Sequence, residues 1–149
     1  MKRDFHVVAV DLRGHGDSDW SDDGDYSYTT HSADIEKIVA HLGWDKLVLI
    51  GMSLGGLGAM HFAAHHSKQL GALLIVDVGP ELNPAGVGRI VGFSRGPAEL
   101  DSIQDFIQRA VEYNPRRSAD QLRYSLTHNL RRLPNGKWTW KYDRRIGQR

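Results

Sequence analysis

The stretch Lys46-Leu-Val-Leu-Ile-Gly51-Met52-Ser53-Leu54-Gly55-Gly56 joins an apolar run directly to a glycine-rich segment. The run Lys46–Met52 is typical of a β-strand that is buried on both faces, and Ser53–His66 is predicted to be a helix. The pattern Gly-x-Ser-x-Gly lies at the junction of the two. Because a strand and a helix cross closely at such a turn, glycine at positions 51 and 55 avoids a collision between side chains.

Two further buried strands are predicted on either side of this stretch, over Phe5–Asp11 and Ala72–Val78. An amphipathic helix from about Thr30 to Leu42 separates the first two strands, and Gly43 marks its end. The order strand, helix, strand, helix, strand requires crossover connections and a parallel sheet with helices on its faces. Residues 1–79 are therefore predicted to have an α/β fold.

The pattern changes after Gly79-Pro80, where helices without strands are expected. Residues 84–94 show no clear pattern, and the final aromatic stretch alternates with a period of two, which predicts a short strand. The predicted division of the chain is a core over 1–79 and a helical segment over 80–149. The elements predicted in the second part are a helix around Ile103–Val111, a helix that begins with the capping box of Ser118 and Gln121, and a strand over Trp138–Tyr142.

Composition excludes several classes of protein. The chain has 149 residues, 40% of them hydrophobic, and no cysteine, so disulfides, thiolate catalysis and cysteine zinc sites are excluded. Its apolar runs are far shorter than the roughly 18 residues of a membrane span. The N-terminus is charged at once and lacks the features of a signal peptide. We therefore expect a cytoplasmic protein with no contact to membranes.

Charge is distributed unevenly along the chain. Residues 1–114 contain 9 Lys and Arg against 16 Asp and Glu, while residues 115–149 contain 10 against 2. A basic region with interleaved tryptophans is one signature of nucleic-acid binding. The arginines, however, follow a helical pattern, where charges usually form a solvated face. We expect no nucleic-acid partner.

No cofactor and no metal are expected from the motifs. His61 and His65 have the spacing of two metal ligands on a helix, but Phe62 occupies the position of the catalytic Glu of metalloproteases, so a surface or packing role is predicted. The stretch Asp19–Gly24 resembles the start of a calcium loop without its final glutamate. The other interpretation of the serine turn is a glycine-rich connection that only packs tightly or binds a phosphate, although the Gly-Lys-Ser/Thr of a P-loop is absent.

Several motifs together resemble the α/β-hydrolase fold superfamily, in its serine esterase and lactonase-like branch with a helical cap. Val8–Ser18 resembles the family's fourth core strand and following loop, and Leu49–Gly56 resembles the fifth strand with the nucleophile elbow. Leu73–Pro80 resembles the sixth strand, and residues 81–145 resemble the inserted cap. The resemblance implies a partial α/β-hydrolase fold, with parallel strands and crossover helices followed by an α-helical cap.

The resemblance also implies a function, the hydrolysis of a carboxylic ester or lactone of a small-molecule acyl substrate through an acyl-serine intermediate. Ser53 matches the family's nucleophile, and the backbone N–H of Leu54 matches an oxyanion donor. A serine nucleophile argues against the aspartate-dependent dehalogenases and epoxide hydrolases of the same fold. Thioester hydrolases, carbon–carbon bond hydrolases, haloperoxidases and acyltransferases stay open.

The catalytic partners of the serine are not found by the same comparison. The family's histidine follows the last core strand and its acid usually follows the seventh, and the chain stops before both; His15 is interpreted as structural. Some relatives carry the acid at the end of the sixth strand, where Asp77 lies, yet an aspartate there is commonly structural. Both interpretations of Asp77 stay open.

An incomplete sheet follows from the resemblance, since the family's third strand lies between the fourth and the fifth. Phe5–Asp11 is expected either to pair with Lys46–Met52 or to leave two strand edges unpaired. Unpaired edges predict marginal stability and self-association. The alternative function is therefore that of a truncated or inactive hydrolase fragment without turnover, which acts at most as an interaction module.

Overall fold

The computed structural model describes residues 4–147, and its contacts divide the chain into two compact units. One unit contains the described residues up to Trp20 together with Ala98–Asp143. The other contains Ser21–Pro97 together with the described residues from Arg144 onward. No helix within residues 4–147 is long and apolar enough to cross a membrane.

The second of these units contains the parallel sheet. Its elements in chain order are helix α1 (Tyr28–Leu42), strand β1 (Leu47–Met52), helix α2 (Leu54–His66), a short 3₁₀ turn (Ser67–Gln69), strand β2 (Leu70–Val76) and helix α3 (Pro84–Ser94). Strands β1 and β2 pair in parallel, and α2 crosses between them. The predicted alternation of helices and parallel strands is confirmed for this part of the chain, with shifts of one or two residues at most boundaries.

Helix α1 has well-defined ends that the sequence encodes. The side chain of Ser27 accepts a hydrogen bond from the N–H of Thr30 at 3.3 Å, which satisfies one of the free donors of the first turn. Gly43 ends the helix in the left-handed conformation, with φ of 65°, and its N–H bonds to the carbonyl of Ala40. The predicted helix over Thr30–Leu42 is confirmed and begins two residues earlier.

The two faces of the β1–β2 sheet differ in how they are covered. Helix α2 packs on one face, where Gly51 is buried. The opposite face is apolar and exposed, and Met52 keeps 67% of its surface accessible. Side chains on this open face belong to Val48, Ile50, Met52, Ala72, Leu74 and Val76.

The strand predicted over Phe5–Asp11 does not form. This segment has no regular secondary structure from His6 to Asp11 and pairs with neither β1 nor β2, and Phe5 is 60% exposed. A parallel strand is stable only with neighbours that satisfy its backbone groups and cover its side chains, and within residues 4–147 no strand supplies them. Of the two outcomes expected for the sheet, the structure has unpaired edges.

The loop after this segment has its own hydrogen bonds. A carboxylate oxygen of Asp11 accepts from the N–H of Asp17 at 3.0 Å, and the hydroxyl of Ser18 donates to the carbonyl of Asp11. Gly16 has a positive φ of 57°, and a side chain there would overlap the Asp11 carboxylate. His15 places Nδ1 3.2 Å from the carbonyl of Arg13, which agrees with a structural role.

The unit around Ala98–Asp143 contains two helices and a small sheet. The helices α4 (Ile103–Tyr113) and α5 (Ala119–Asn129) each begin with a capping box, of which only the second is predicted from the sequence. Strands β3 (Glu99–Leu100), β4 (Leu130–Arg132) and β5 (Trp138–Trp140) form an antiparallel sheet in the order β3-β5-β4. The expectation of helices without strands after Pro80 is wrong in this respect, although the strand at Trp138 is confirmed.

This unit has a compact apolar core. Phe106 is fully buried and meets the ring of Trp140 edge-on at 5.0 Å between centroids. Leu122, Leu126 and Leu130 from α5 and β4 are buried as well. Leu122 and Leu126 lie on one side of α5, as predicted from the leucine pattern, whereas Leu130 was predicted on the same helix face and belongs to β4 because the helix ends at Asn129.

Candidate active site

The turn between β1 and α2 holds Ser53 in a strained conformation. Its φ of 50° and ψ of −120° lie outside the regions that residues with a side chain normally adopt. Such a conformation costs on the order of 1–3 kcal/mol and persists only where the surroundings impose it. Here β1 ends at Met52 and α2 begins at Leu54, so a single residue makes the entire reversal.

Glycine makes this reversal possible at two positions. A Cβ atom on Gly51 would lie 2.5 Å from the carbonyl oxygen of Gly55, which is a backbone atom with little freedom to move. A Cβ atom on Gly56 would lie 2.5 Å from a methyl group of Val78, beyond the end of β2. The close approach predicted between positions 51 and 55 is confirmed. Gly56 in addition allows α2 to pack closely against the sheet.

Hydrogen bonds fix the backbone of the turn and leave its functional groups open. The N–H of Ser53 donates to the carbonyl of Val76 at 3.0 Å, and the carbonyl of Ser53 accepts from the N–H groups of Gly56 and Leu57 at 2.8 and 3.1 Å. Within residues 4–147 neither the Ser53 hydroxyl nor the N–H of Leu54 makes a hydrogen bond. The side chain of Ser53 is exposed, so a substrate from solution can reach the hydroxyl.

Asp77 occupies the equivalent place at the end of the neighbouring strand. Met52 and Val76 are partners in the sheet, so Ser53 and Asp77 both follow directly at the same carboxyl edge. Asp77 has φ of 57°, and among residues 4–147 it is the only other non-glycine residue with a positive φ. Its carboxylate is exposed and makes no hydrogen bond or ion pair with the described residues. The structure thus brings the two strained residues together.

The histidines lie elsewhere on the described elements. His31 is buried in α1 directly beneath Gly58, and His15 lies in the loop that follows Asp11. The remaining described histidines are His6 before Asp11, His41 at the end of α1, His61, His65 and His66 on α2, and His128 on α5. None of them bonds to Ser53, so the structure does not bring a general base to the serine within residues 4–147.

The resemblance of Asp19–Gly24 to a calcium loop receives no support from the geometry. Among residues 4–147 no group of three or more His, Cys, Asp or Glu could hold a metal ion. In the Asp19–Gly24 stretch Arg145 donates to the carbonyls of Ser21 and Asp22, so an arginine side chain already binds the loop. A shallow depression on α5 is lined by Arg117, Gln121, Tyr124, Ser125, His128 and Asn129, and not by Ser53.

One feature of this site was not accessible from the sequence. The left-handed conformation of Asp77 has no local signal, because the motif Val-Asp-Val-Gly around it is compatible with a continuing strand. The predicted strand accordingly extends to Val78, whereas β2 ends at Val76. The signal that points to Asp77 is its position at the end of a strand, because the carboxyl ends of neighbouring parallel strands meet at one edge, where α/β folds bind their ligands.

Comparison with known proteins agrees with this geometry. A family model described as the alpha/beta hydrolase fold matches residues 2–144. The esterase Rv0045c of Mycobacterium tuberculosis is 38% identical over 144 residues, which are 92% of this chain and 48% of that protein. A probable protein phosphatase methylesterase 1 of Caenorhabditis elegans is 32% identical over 92% of this chain and 39% of its own length.

Solved structures give the same picture. An α/β hydrolase from Novosphingobium aromaticivorans superposes with a TM-score of 0.80 at 30% identity, over 93% of this chain and 50% of that one. A crystal structure of the M. tuberculosis esterase Rv0045c superposes with a TM-score of 0.70 at 36% identity, over 89% of this chain and 46% of its own. The chain thus spans about half the length of the proteins that it matches.

Proposed function

Because the chain belongs to the α/β-hydrolase fold family, we propose that it is a serine hydrolase that cleaves a carboxylic ester or lactone through an acyl-Ser53 intermediate. The observation that carries the proposal is the strained conformation of Ser53 between β1 and α2, with an exposed hydroxyl. A tight packing turn would not need a strained serine, and strain of this kind concentrates at functional sites. The relatives named above as an esterase and a methylesterase support the same reaction class.

The proposed chemistry begins with attack of the Ser53 hydroxyl oxygen on the acyl carbon of the ester. A base removes the hydroxyl proton, and the carbonyl oxygen of the substrate becomes an oxyanion. The N–H of Leu54, which is free of other hydrogen bonds among residues 4–147, donates to this oxyanion at the N-terminus of α2. The base then gives the proton to the alcohol oxygen as its bond to the acyl carbon breaks, and water releases the acyl group from Ser53 in a second, equivalent step.

Asp77 is proposed as the acid that orients the base. A structural aspartate is held by hydrogen bonds to its surroundings, whereas the Asp77 carboxylate has none among residues 4–147 and lies at the strand end next to Ser53. The base itself is proposed to be a histidine in the position of the family's catalytic histidine, after the last core strand. None of the eight histidines present matches the family's position for it.

The substrate class follows from the reaction proposed. We propose a small-molecule acyl ester or lactone, with residues 81–149 forming the cap over it. Thioesters stay an alternative, because the same acyl-serine chemistry cleaves them. No metal or cofactor is needed for the steps above, since each uses only a nucleophile, a proton acceptor and hydrogen-bond donors.

One observation favours the second candidate function, an interaction module without turnover. The β1–β2 sheet has an exposed apolar face and two edges that no strand within residues 4–147 pairs. Unpaired edges and apolar faces promote association with other chains. Under this alternative the chain self-associates through the sheet and Ser53 carries out no chemistry.

Hydrolysis of p-nitrophenyl acetate, p-nitrophenyl octanoate and a γ-lactone separates the two functions. Because no histidine of this sequence matches the base, we expect slow turnover by the wild-type chain, carried by Ser53 and the N–H of Leu54, and none above background by Ser53→Ala. Asp77→Asn keeps a residue that tolerates the positive φ, so it removes the charge without disturbing the backbone. In a Ser-His-Asp triad that contains the histidine, this change lowers kcat by ~10⁴-fold, so Asp77→Asn is measured in a protein that supplies the base. Equal rates for this chain and its Ser53→Ala variant would contradict the enzyme; a normal rate for Asp77→Asn in the presence of the base would contradict only the role of Asp77.

A further inference from the structure

The C-terminal half of α2 carries two histidines that stack on each other away from Ser53. His61 and His65 are four residues apart, so they lie one turn apart on the same face of the helix. Their ring centroids are 4.5 Å apart with an angle of 32° between the planes. Histidines four residues apart on one helical face are also the spacing of two zinc ligands in helical metal motifs.

Hydrogen bonding defines which nitrogen of His65 is available. Its Nδ1 lies 2.9 Å from the carbonyl oxygen of His61, and a carbonyl can only accept, so Nδ1 carries the proton. The lone pair of the neutral ring is therefore on Nε2. A bond from Nδ1–H to a backbone carbonyl is also how metal-binding histidines are held in a fixed orientation.

Burial decides which ring nitrogen of His61 is open to solvent. Its Nδ1 is fully buried, whereas Nε2 is not, so an ion from solution can reach only Nε2. The ring of Tyr28 packs on His61 at 5.7 Å between centroids, on α1, and limits its movement. The Nε2 atoms of His61 and His65 are thus the two nitrogens of the pair that are open to a metal ion.

The surroundings favour a cation as well. His61 and His65 lie in the last two turns of α2, where the unsatisfied carbonyl groups make the helix end negative. His66 faces elsewhere, since its Nε2 lies 3.8 Å from a carboxylate oxygen of Glu36 on α1 and its ring stacks on Phe62. The site is accordingly one of two imidazoles, with water in the remaining positions.

We propose that His61 and His65 form a two-imidazole site for a divalent transition metal such as Ni²⁺, Cu²⁺ or Zn²⁺. Imidazole ligands suit these ions, whereas Mg²⁺ and Ca²⁺ require oxygen ligands. An ion that bridges one turn of α2 binds the folded helix and therefore stabilises it. The site is independent of the chemistry proposed for Ser53.

His128 on α5 provides a matched control. Its Nδ1 lies 2.8 Å from the carbonyl of Tyr124, four residues earlier, so its ring is held as that of His65 is. Tyr124 stands where a second histidine would be needed, with 5.0 Å between the ring centroids. A site that needs only one oriented imidazole would therefore include His128, and a site that needs the pair would not.

The test is calorimetric titration of the tag-free chain with NiCl₂, with MgCl₂ as the control ion. We expect Ni²⁺ to bind, and His65→Ala to weaken binding by at least the roughly 10–100-fold that loss of an outer-shell partner of a metal site costs. His61→Ala should act similarly, and His128→Ala should leave the affinity unchanged. Equal binding by wild type and His65→Ala, or an equal loss in His128→Ala, would overturn the proposal.

Spectroscopy of the wild-type chain tests the site without a substitution that could disturb folding. In long-range ¹H–¹⁵N spectra recorded during addition of Zn²⁺, the Nε2 signals of His61 and His65 should shift together. The Nε2 signal of His128 should stay in place over the same range. Absence of a shift at the pair, or a shift of equal size at His128, would exclude a bidentate site on α2.

Discussion

The parallel sheet β1–β2 and the antiparallel sheet β3-β5-β4 differ in whether the residues around them supply a packed core. The antiparallel sheet and the two helices beside it come from Ala98–Asp143, and this short region buries its own core around Phe106. The parallel sheet has α2 on one face and an open apolar face on the other. An antiparallel sheet can leave one face to water, whereas a parallel sheet is typically covered on both faces, so β1–β2 lacks a cover that sheets of its kind normally have.

Phe106→Ala should have the largest effect on stability. Phe106 is fully buried against Trp140, and removal of such a ring leaves a cavity that costs about 3–5 kcal/mol. Thermal or urea denaturation followed by tryptophan fluorescence measures the loss. Tyr124→Ala is the control on α5, because Tyr124 is 75% exposed and its loss should change stability by no more than about 0.5 kcal/mol. Similar losses for both variants would show that this region has no packed core.

Gly51→Ala tests whether the serine turn is as tightly constrained as its geometry indicates. The added methyl group would meet the backbone of Gly55, and forced overpacking costs about 1–3 kcal/mol. Gly86→Ala is the matched control in α3, where nothing lies within 4 Å of the added atom. That change should stabilise the helix by about 0.5–1 kcal/mol. Denaturation midpoints that move in the same direction for both variants would contradict the account of the turn.

Ile50→Lys tests the open face of the parallel sheet and has the smallest expected effect on stability. Ile50 is exposed on that face, so a charge there should change the free energy of unfolding by less than about 0.5 kcal/mol. Sedimentation velocity should show less self-association than in the wild type, because an exposed lysine hinders association between sheets. Leu49→Lys is the control, since Leu49 lies on the face covered by α2 and a charge there should destabilise the chain. Unfolding caused by Ile50→Lys would show that the face is covered.

The elements that depend on nearby residues could be predicted from the sequence. The turn at Ser53 follows from Gly51 and Gly55, two residues away on either side, and the ends of α1 follow from a serine cap and Gly43. Helix α5 was predicted from its capping box and leucine pattern in the same way. In each case the controlling contacts lie within a few residues, where a sequence pattern can specify them.

The elements that depend on distant residues could not be predicted. Phe5–Asp11 has the composition of a buried strand, but composition does not supply a neighbour for it to pair with. Glu99–Leu100 is too short to show a period, and it is a strand only because it pairs with Trp138–Thr139 much later in the chain. The conformation of Asp77 likewise has no local pattern and depends on the sheet edge that it shares with Ser53.

Labelling with a fluorophosphonate tests the central claim, that Ser53 is a nucleophile, most directly. The purified chain and Ser53→Ala are treated with the probe, digested and mapped by mass spectrometry. Because no histidine of this sequence matches the base, we expect slow labelling, with the mass of the probe on the peptide that contains Ser53 and no label on the corresponding peptide of Ser53→Ala. A wild-type chain that stays as unlabelled as Ser53→Ala, or that carries the label only at another residue, would contradict the account.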